Sequence, residues 1–549
     1  MTRFSRFIVP TFAALLLLPA VSMAQMVPTS LTKTDAPSVS AATAFAETIT
    51  PADLKKHLAI LAADDMEGRE TGSPGQKRAG NYIANQFESF GLKAIVPGAD
   101  GKPGYFQPFN VYQKTWGEFY VKADGKQLNY LTDFIVNGLF TVPTETAYET
   151  VFVGYGISDA KYDDYAGRDI QGKAIVILEG EPKTKTGASL ISGSTDASKW
   201  GAADSWRIKS TLAKEKGAAQ IFMVSAASAA NFKQLITERG ALLSRFNRMT
   251  LNPAPEKIGT VGFFTISPEM ASLIVGLKPE PLKRAAEKIA KTKKPYVGSL
   301  TGKVAVKAER KDATVQTENV LGFLEGTDKK EEIVVISSHY DHIGINPDGQ
   351  INNGADDDGS GTVSVLELAE AFSKAKAAGQ GPRRSILFIT VTGEEKGLFG
   401  SEYYSDHPVL PLANTVCDLN IDMIGRVDDA HKTDPKYVYL IGSDKLSSGL
   451  HSISEAANQQ HVGYKLDYTF NDPNDPNRFY YRSDHYNFAR KGIPVIFYFT
   501  GVHEDYHQPG DDVEKIMFDK QAPIVKLVFH TAWEVANRDE RIKVDSNKP

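Results

Sequence analysis

The pattern of apolar and polar positions is most regular in the second half of the chain. From Asn319 onward, short apolar runs typical of buried strands alternate with stretches of helical spacing. The predicted strands are 320–324, 333–337, 385–392, 416–422, 437–441 and 493–500, and the predicted helices are 362–376, 402–406, 446–458 and 522–537. This alternation indicates an α/β fold, with a mainly parallel, doubly wound sheet and helices on both faces.

The first half of the chain has a different texture. Two helical stretches, 51–62 and 76–90, come before β runs that start near Tyr105. Between residues 137 and 302 the sequence predicts a mixture of short strands and helices. It contains no group of His, Cys and carboxylate residues at the spacing of metal ligands. We therefore predict a discontinuous α/β domain, 46–136 and 303–541, with a mixed β/α domain, 137–302, inserted into it. The insert is expected to shape or cover a site and to carry no chemistry of its own.

The N-terminus is typical of a secretory signal peptide. Arg3 and Arg6 precede an apolar run, 7–21, which contains two prolines and is shorter than the ~20 residues that span a bilayer. Small residues before Gln25 predict cleavage there, which gives a signal peptide of residues 1–24. No cysteine follows the cut, so we expect neither a lipoprotein nor a membrane anchor after signal removal, and a periplasmic or extracellular location. Residues 25–45 are predicted to be a flexible lead-in.

Composition excludes some classes of partner. The chain of 549 residues has 42% hydrophobic and 23% charged residues, which is ordinary for a globular protein of two or three domains. The net charge of −5 gives no reason to expect nucleic acid as a partner. Cys417 is the single cysteine of the sequence, so stability depends on a large core and not on disulfides.

Four predicted strands end in imidazole or carboxylate groups. The groups are His339 and Asp341, then Glu394 and Glu395, then Asp422, then His503, Glu504, Asp505 and His507. The carboxyl ends of parallel strands meet at one edge of a sheet, where ligands bind. Imidazole and carboxylate without thiolate suit Zn²⁺, and also Mn²⁺ or Co²⁺. Taken singly, His342, His485 and His503 are better explained as structural, and the run 356–358 as a turn or helix cap, so the metal hypothesis depends on joint occurrence.

Adjacent Glu394 and Glu395 suggest a division of roles. Consecutive side chains at a strand end diverge, so one can bind metal while the other faces the substrate as a base. Asp341 is two residues from His339 and can orient its imidazole. The plainer alternative for Asp341 is a loop carboxylate that caps a turn.

These residues belong to motifs that resemble a known family. The motifs are His339-Tyr-Asp341, Gly354-Ala-Asp-Asp-Asp-Gly-Ser-Gly361, Thr392-Gly-Glu-Glu-Lys-Gly-Leu398, Asn420-Ile-Asp-Met-Ile-Gly425, Ser483-Asp-His485 and Asp505-Tyr-His507. Together they resemble the secreted dizinc aminopeptidases, the relatives of plasma glutamate carboxypeptidase, closely over 315–520 and loosely over 50–110. The insert, with Tyr162-Asp-Asp-Tyr165 and Lys216-Gly-Ala-Ala219, resembles a protease-associated domain.

The resemblance implies a role for each matched residue. His339 and Asp422 would bind one Zn²⁺, Glu395 and His507 the other, and Asp357 would bridge the two ions. Glu394 would be the general base for a metal-bridged water that attacks the scissile carbonyl. Asp341 would support His339, and Tyr506 could help to stabilise the oxyanion.

The implied function is an exported aminopeptidase that removes N-terminal residues from peptides. A carboxypeptidase or dipeptidase of the same family is the alternative, and a cyclase is less expected because the second metal's ligands and the base are all present. A non-enzyme alternative is a metal-free, receptor-like binding ectodomain, which the complete ligand set argues against. The loop 471–481 is expected to border the side-chain pocket. The sequence defines neither the preferred side chain nor the oligomeric state.

Overall fold

A computed structural model describes residues 39–547, apart from 99, 185, 246–248, 253–257 and 276–279. The predicted signal peptide, 1–24, and most of the predicted lead-in, 25–45, lie outside the described residues. The described end of that lead-in is a helix, Val39–Ala46, which contradicts the expectation of a flexible segment there. The helix forms because Phe45 stacks on Trp533, with ring centroids 6.2 Å apart, and Ala42 and Ala46 are buried. No helix of the described part is long and apolar enough to cross a membrane.

The helices and strands follow one another in an order that separates two sheet regions. The helices are α1 Val39–Ala46, α2 Pro51–Leu61, α3 Pro74–Ser89, α4 Trp206–Glu215, α5 Ala229–Arg245, α6 Pro268–Ile274, α7 Glu280–Thr292, α8 Gly361–Ala377, α9 Phe399–Asp406, α10 Ser448–Ala457, α11 His485–Ala489 and α12 Phe518–Asn537. The strands are β1 Val96–Pro97, β2 Pro103–Gly104, β3 Phe106–Ala123, β4 Lys126–Asn129, β5 Phe134–Asn137, β6 Val142–Phe152, β7 Ser158–Asp159, β8 Tyr162–Asp163, β9 Ala174–Leu178, β10 Gln220–Val224, β11 Met249–Thr250, β12 Phe263–Ile266, β13 Thr301–Leu324, β14 Lys329–His339, β15 Arg384–Val391, β16 Thr415–Ile421, β17 Tyr437–Ile441, β18 Lys465–Asp467 and β19 Val495–Phe499.

The central sheet has the order β18-β17-β19-β16-β14-β15-β13. Strands β19, β16, β14 and β15 are mutually parallel, and β17 and β13 are antiparallel to their inner neighbours. Every residue of β15 and β16 is buried, as expected for strands that helices cover on both faces. Ile336 and Phe388 pack into the core under α8 and α12, whereas Val335 and Leu387 pack on the face towards α9 and α11. The predicted α/β fold class is confirmed.

The insert is joined to this sheet by two long strands, not by linkers. Strands β3 and β13 pair in antiparallel fashion from Val320 and Phe106 to Ala305 and Lys122. Beyond them the same sheet continues through β6, β9, β10, β12 and β5. Strand β5 belongs to the insert's sheet although it starts before residue 137, and β13 runs across residue 302 without a break. The exact domain boundaries stay a prediction, but the two regions share one continuous ladder.

Candidate metal centre

The predicted ligands lie on loops that leave the carboxyl ends of four neighbouring strands. His339 ends β14, Asp422 follows β16, and His507 lies on the loop after β19. Three non-glycine residues on these loops have left-handed backbones: Leu398 (φ 61°), Met423 (φ 52°) and His507 (φ 56°). Each such residue costs on the order of 1 kcal/mol, so the surrounding fold holds the loops in a shape that they would not adopt alone.

Two histidines face the two oxygens of one aspartate. His339 Nε2 lies 3.4 Å from Asp357 Oδ1 and 3.8 Å from Asp422 Oδ2. His507 Nε2 lies 3.1 Å from Asp357 Oδ2 and 3.0 Å from Glu395 Oε2. Asp357 therefore stands between two groups of donor atoms, and each of its oxygens belongs to a different group.

The two groups fit zinc in both spacing and charge. Two ligands that are each about 2 Å from a tetrahedral Zn²⁺ lie about 3.3 Å from one another, close to the observed separations. Asp357 Oδ2 is buried, and apart from the 3.1 Å approach of His507 Nε2 it accepts no hydrogen bond of regular geometry from the described residues. Burial would lower the pKa of His507, but the Glu395 and Asp357 carboxylates raise it to about 10. The cluster thus carries excess negative charge that two cations would neutralise.

The neighbouring aspartates are already used by the backbone. Asp358 is close enough to His339 and Asp422 to be a candidate ligand. Its oxygens, however, accept N–H groups from His339 (3.2 Å), Gly361 (2.9 Å) and Met423 (3.1 Å). Because these bonds occupy both oxygens of Asp358, Asp357 is the member of the pair whose carboxylate is available to an ion.

Asp356 has a structural role. Its Oδ1 accepts the N–H of Gly425 at 2.6 Å, and its Oδ2 lies 3.2 Å from His503 Nε2. The Asp511 carboxylate in turn accepts the backbone N–H groups of Asp356 (3.0 Å) and Asp357 (3.1 Å). The loop is therefore fixed from two sides. Asp511 was not singled out from the sequence, where no motif or spacing distinguishes it from other loop carboxylates.

Arg69 also fixes the loops of the site and was also missed. Its side chain is buried, and it donates to the backbone carbonyls of Tyr340 (2.8 Å), Asn353 (2.6 Å) and Gly354 (2.8 Å). These carbonyls lie on the loop after β14 and on the loop before α8, so one guanidinium joins both. Arg69 lies in a segment without strand or helix periodicity, which is why the sequence analysis gave it no role.

Asp341 lies behind His339, on the side away from the cluster. Its carboxylate accepts hydrogen bonds from Thr71 Oγ1 (2.7 Å) and from the N–H of Glu394 (3.3 Å). The carbonyl oxygen of Asp341 lies 3.1 Å from His339 Nδ1, and its carboxylate lies 3.7 Å away. This arrangement leaves Nε2 of His339 pointing at the carboxylates of Asp357 and Asp422.

His342 differs from what was expected of it as a structural residue. Its Nδ1 lies 2.7 Å from Glu395 Oε1 and 3.8 Å from Asp357 Oδ2. His342 therefore contacts the carboxylate that His507 approaches from the other side. The spacing of three residues after His339 was the available signal, and weighing each histidine singly discarded it. His485 fits a structural role, because its ring stacks on Phe497 with centroids 4.7 Å apart.

Glu394 and Glu395 face different surroundings. Glu394, Tyr506 and Arg482 line a cleft with about 360 Å³ of empty space, open solvent included, together with His339, Asp357 and Asp422, whereas Glu395 does not line it. The cleft's other walls are apolar and consist of Met423, Phe479, Phe497, Phe499 and Val502. Burial, reinforced by the nearby carboxylates, raises the pKa of Glu394 well above its usual range. A carboxylate with a raised pKa, next to a cleft, is suited to accepting and returning a proton.

Tyr506 lies beside the cluster as well. Its ring stacks on His507 with centroids 3.9 Å apart, and burial raises the pKa of its hydroxyl. The phenol is therefore a hydrogen-bond donor at neutral pH. All eight residues named in the site hypothesis lie around one cleft or directly behind its wall.

Such a cluster, at the carboxyl edge of an α/β sheet and beside a proton-accepting carboxylate, defines a candidate two-metal hydrolytic centre. Comparison with known families points to the same class. Residues 319–532 match the model of peptidase family M28. The match covers 214 of the chain's 549 residues.

Individual relatives cover only part of the chain. It is 31% identical over 221 residues to a probable leucine aminopeptidase of Arthroderma benhamiae, a match over 38% of this chain and 55% of the relative. It is 28% identical over 252 residues to an aminopeptidase of Bacillus subtilis, over 43% of this chain and 50% of the relative. The chain thus spans about half the length of these curated relatives.

The fold as a whole has a counterpart among solved structures. An aminopeptidase from Aneurinibacillus sp. strain AM-1 superposes with a TM-score of 0.51, over 92% of this chain and 100% of that chain, at 20% sequence identity. At this identity the likeness concerns the fold alone.

Proposed function

We propose that the protein is an exported dizinc aminopeptidase that releases N-terminal residues from peptides. The single observation that carries the proposal is Asp357, whose two oxygens face two separate groups of donor atoms beside the cleft. The relatives named as aminopeptidases support the same activity.

Two zinc ions are the proposed cofactors, with Mn²⁺ or Co²⁺ as possible substitutes. His339 and Asp422 would hold one ion, Glu395 and His507 the other, and Asp357 both. When bound, the ions would polarise the scissile carbonyl and make water acidic enough to react at neutral pH. Ser483 Oγ donates to Asp422 Oδ2 at 2.7 Å and thereby holds that carboxylate in place.

Glu394 is the proposed general base and acid. It is the carboxylate of the adjacent pair that faces the cleft, so it can take the proton of the attacking water and return it to the leaving amine nitrogen. The Tyr506 hydroxyl, on the same wall, would donate to the oxygen that becomes negative. Asp341 would act on His339 and not on the substrate.

The apolar wall of the cleft defines the proposed side-chain preference. Met423, Phe479, Phe497 and Phe499 offer a hydrophobic surface directly beside the candidate ligands. Burying an apolar side chain there is worth about 25 cal/mol per Å². We therefore infer a preference for apolar N-terminal residues such as leucine. Within the loop 471–481, it is Phe479 that reaches the cleft.

The remaining parts of the proposal concern location and the insert. The N-terminal 24 residues support export to the periplasm or the medium, and peptides are the proposed partners. We propose that the insert, 137–302, is a protease-associated domain that limits access by large substrates. Neutralising charges on its surface should then reduce hydrolysis of a long peptide more than that of a dipeptide, and equal losses at normal metal content would count against this role.

The activity itself is tested with a small substrate panel on the zinc-loaded protein. Leucyl arylamide should be hydrolysed, and N-acetyl-leucyl arylamide should not, because the proposed reaction needs a free amine. Rapid cleavage of an N-blocked peptide at its free C-terminus would establish the carboxypeptidase alternative. Metal binding without hydrolysis of any peptide would favour a binding ectodomain.

A further inference from the structure

Arg482 is an isolated cation in an acidic cleft. Among the described residues that line the cleft, it is the only lysine or arginine, and it shares the lining with the carboxylates Asp357, Glu394 and Asp422. Its guanidinium lies 4.8 Å above the ring of Phe479, and Nη2 lies 3.5 Å from the Tyr506 hydroxyl. Arg482 therefore extends over the apolar wall towards the reacting region.

The guanidinium has no anionic partner in the described part of the chain, since no carboxylate oxygen lies within 4.0 Å of it. Nearby arginines behave differently. Arg426 pairs with Asp505 at 3.1 Å, and Arg490 approaches Glu402 at 3.5 Å. An exposed arginine in a cleft with several carboxylates nearby, but none bound to it, has its donors available to an incoming anion.

The backbone that carries Arg482 is tightly fixed. The next residue, Ser483, donates to Asp422 and accepts a hydrogen bond from Asn420 Nδ2 at 2.9 Å. Asp484 then accepts from Ser401 Oγ at 2.5 Å. An anion held by Arg482 is consequently positioned relative to Asp422, which is one of the proposed metal ligands.

We propose that Arg482 binds a carboxylate of the substrate. This inference rests on the proposed peptidase function and adds to it a preference for substrates with a carboxylate within one or two residues of the scissile bond. Two sources present that chemistry: the C-terminus of a di- or tripeptide, and an acidic side chain. A planar guanidinium matches the two oxygens of either group. Without Arg482, the carboxylates of the cleft would repel a substrate carboxylate.

The test compares charged and neutral substrates of the same shape. The variants are Arg482→Gln and Arg482→Lys, with Arg478→Gln as the matched control. Arg478 is a neighbouring exposed arginine that stacks on Tyr481 and does not line the cleft. The substrate pairs are leucyl-glycine against leucyl-glycine amide, and glutamyl arylamide against glutaminyl arylamide. Leucyl arylamide reports on the underlying peptidase activity.

The wild-type protein should prefer one charged substrate over its neutral partner. Arg482→Gln should reduce that preference about ten-fold or more, mainly through KM, with Arg482→Lys intermediate and Arg478→Gln unchanged. If the preference for the charged substrate is lost in the first pair, Arg482 binds the C-terminal carboxylate. If it is lost in the second pair, Arg482 binds the acidic side chain. Added salt should weaken the preference in the wild type.

An equal loss on charged and neutral substrates, or no wild-type preference in either pair, would overturn the role of Arg482. Inactivity of the wild type towards leucyl arylamide would instead contradict the proposed peptidase function, so the two failures are distinguishable. Metal content of each variant, measured alongside, detects any disturbance of Asp422.

Discussion

In the described part of the chain, buried parallel strands end at an edge of the central sheet and at an edge of the insert, and the first of these edges has the features of a site. Strands β9 and β10 of the insert are parallel and in register, and β10 is buried throughout. In the central sheet β14 and β15 are also parallel, and β15 is buried throughout. Their ends also carry polar residues. Glu179 follows β9, Ser225 follows β10, and the buried Lys209 lies beneath this edge.

The difference lies in what those polar groups contact. Glu179 accepts from Ser225 Oγ (3.2 Å) and from the N–H of Ala226 (2.7 Å), and Lys209 donates to the carbonyl of Gly180 at 2.5 Å. The insert's edge therefore satisfies its own groups. At the central edge, donor atoms of Asp357, Glu395 and His507 face one another across a gap that fits an ion. Convergence of donor atoms on one gap, more than polarity at a strand end, distinguishes a site.

The largest expected effect is on kcat, when one carboxylate oxygen at the central edge is replaced by an amide nitrogen. The same replacement at the insert's edge is the control. Glu394→Gln keeps the side-chain shape but removes the proton acceptor, so kcat should fall by about 10²–10⁴-fold while both metals stay bound. Glu179→Gln, the matched change in the insert, should alter neither activity nor metal content. Steady-state kinetics and elemental analysis of both variants decide the point. A zinc lost from Glu394→Gln would mean that the roles of Glu394 and Glu395 are reversed.

The next expected effect separates the bridging ligand from the others. Asp357→Asn removes charge from both groups of donor atoms, so both metal ions should be lost. Glu395→Gln should weaken the binding of one ion. Zinc content after dialysis against a mild chelator provides the measurement. If Asp357→Asn retains two ions, Asp358 or another residue must bridge them and the assignment is wrong.

A smaller effect is expected for a residue that touches a ligand. His342→Asn removes the contact with Glu395 Oε1, and loss of such a supporting contact typically costs 10–100-fold in metal affinity. Competition with a zinc chelator would show this shift in one site only. The control is His461→Gln, because the His461 ring stacks on His530 and does not line the cleft. An unchanged zinc affinity in His342→Asn would mean that His342 does not support a metal ligand and has a structural role.

Sequence patterns predicted the central α/β region well because its strands are short, apolar and separated by amphipathic helices. Strand ends alone brought His339, Asp341, Glu394, Glu395, Asp422 and His507 to one edge, because parallel strands of one sheet share an edge. The choice of Asp357 and Tyr506 depended on the family resemblance. Arg69 and Asp511 escaped prediction because their partners are backbone groups far away in sequence. The pairing of β3 with β13 was not predicted for the same reason, since partners that lie about 180 to 215 residues apart leave no local periodicity.

The smallest expected effect concerns a buried histidine away from both edges. Burial, together with His461, lowers the pKa of His530 to about 4, and the two rings stack with centroids 3.6 Å apart. The unfolded chain binds this proton at about pH 6.5, so the free energy of unfolding should fall as pH drops from about 6.5 to 4, by at most about 3 kcal/mol. His530→Gln should flatten that slope in denaturant titrations of the zinc-loaded protein. If the free energy of unfolding of the variant changes with pH as steeply as that of the wild type, the lowered pKa of His530 is contradicted.

The central claim is that Asp357 and the groups on either side of it hold two zinc ions on which peptide hydrolysis depends. The most direct measurement is a zinc titration of the metal-stripped wild-type protein, with hydrolysis of leucyl arylamide recorded at each step. We expect negligible hydrolysis without metal, a rise with added zinc, and a plateau once two ions are bound per chain. Full activity in the metal-stripped protein, or a plateau without any second bound ion, would contradict it.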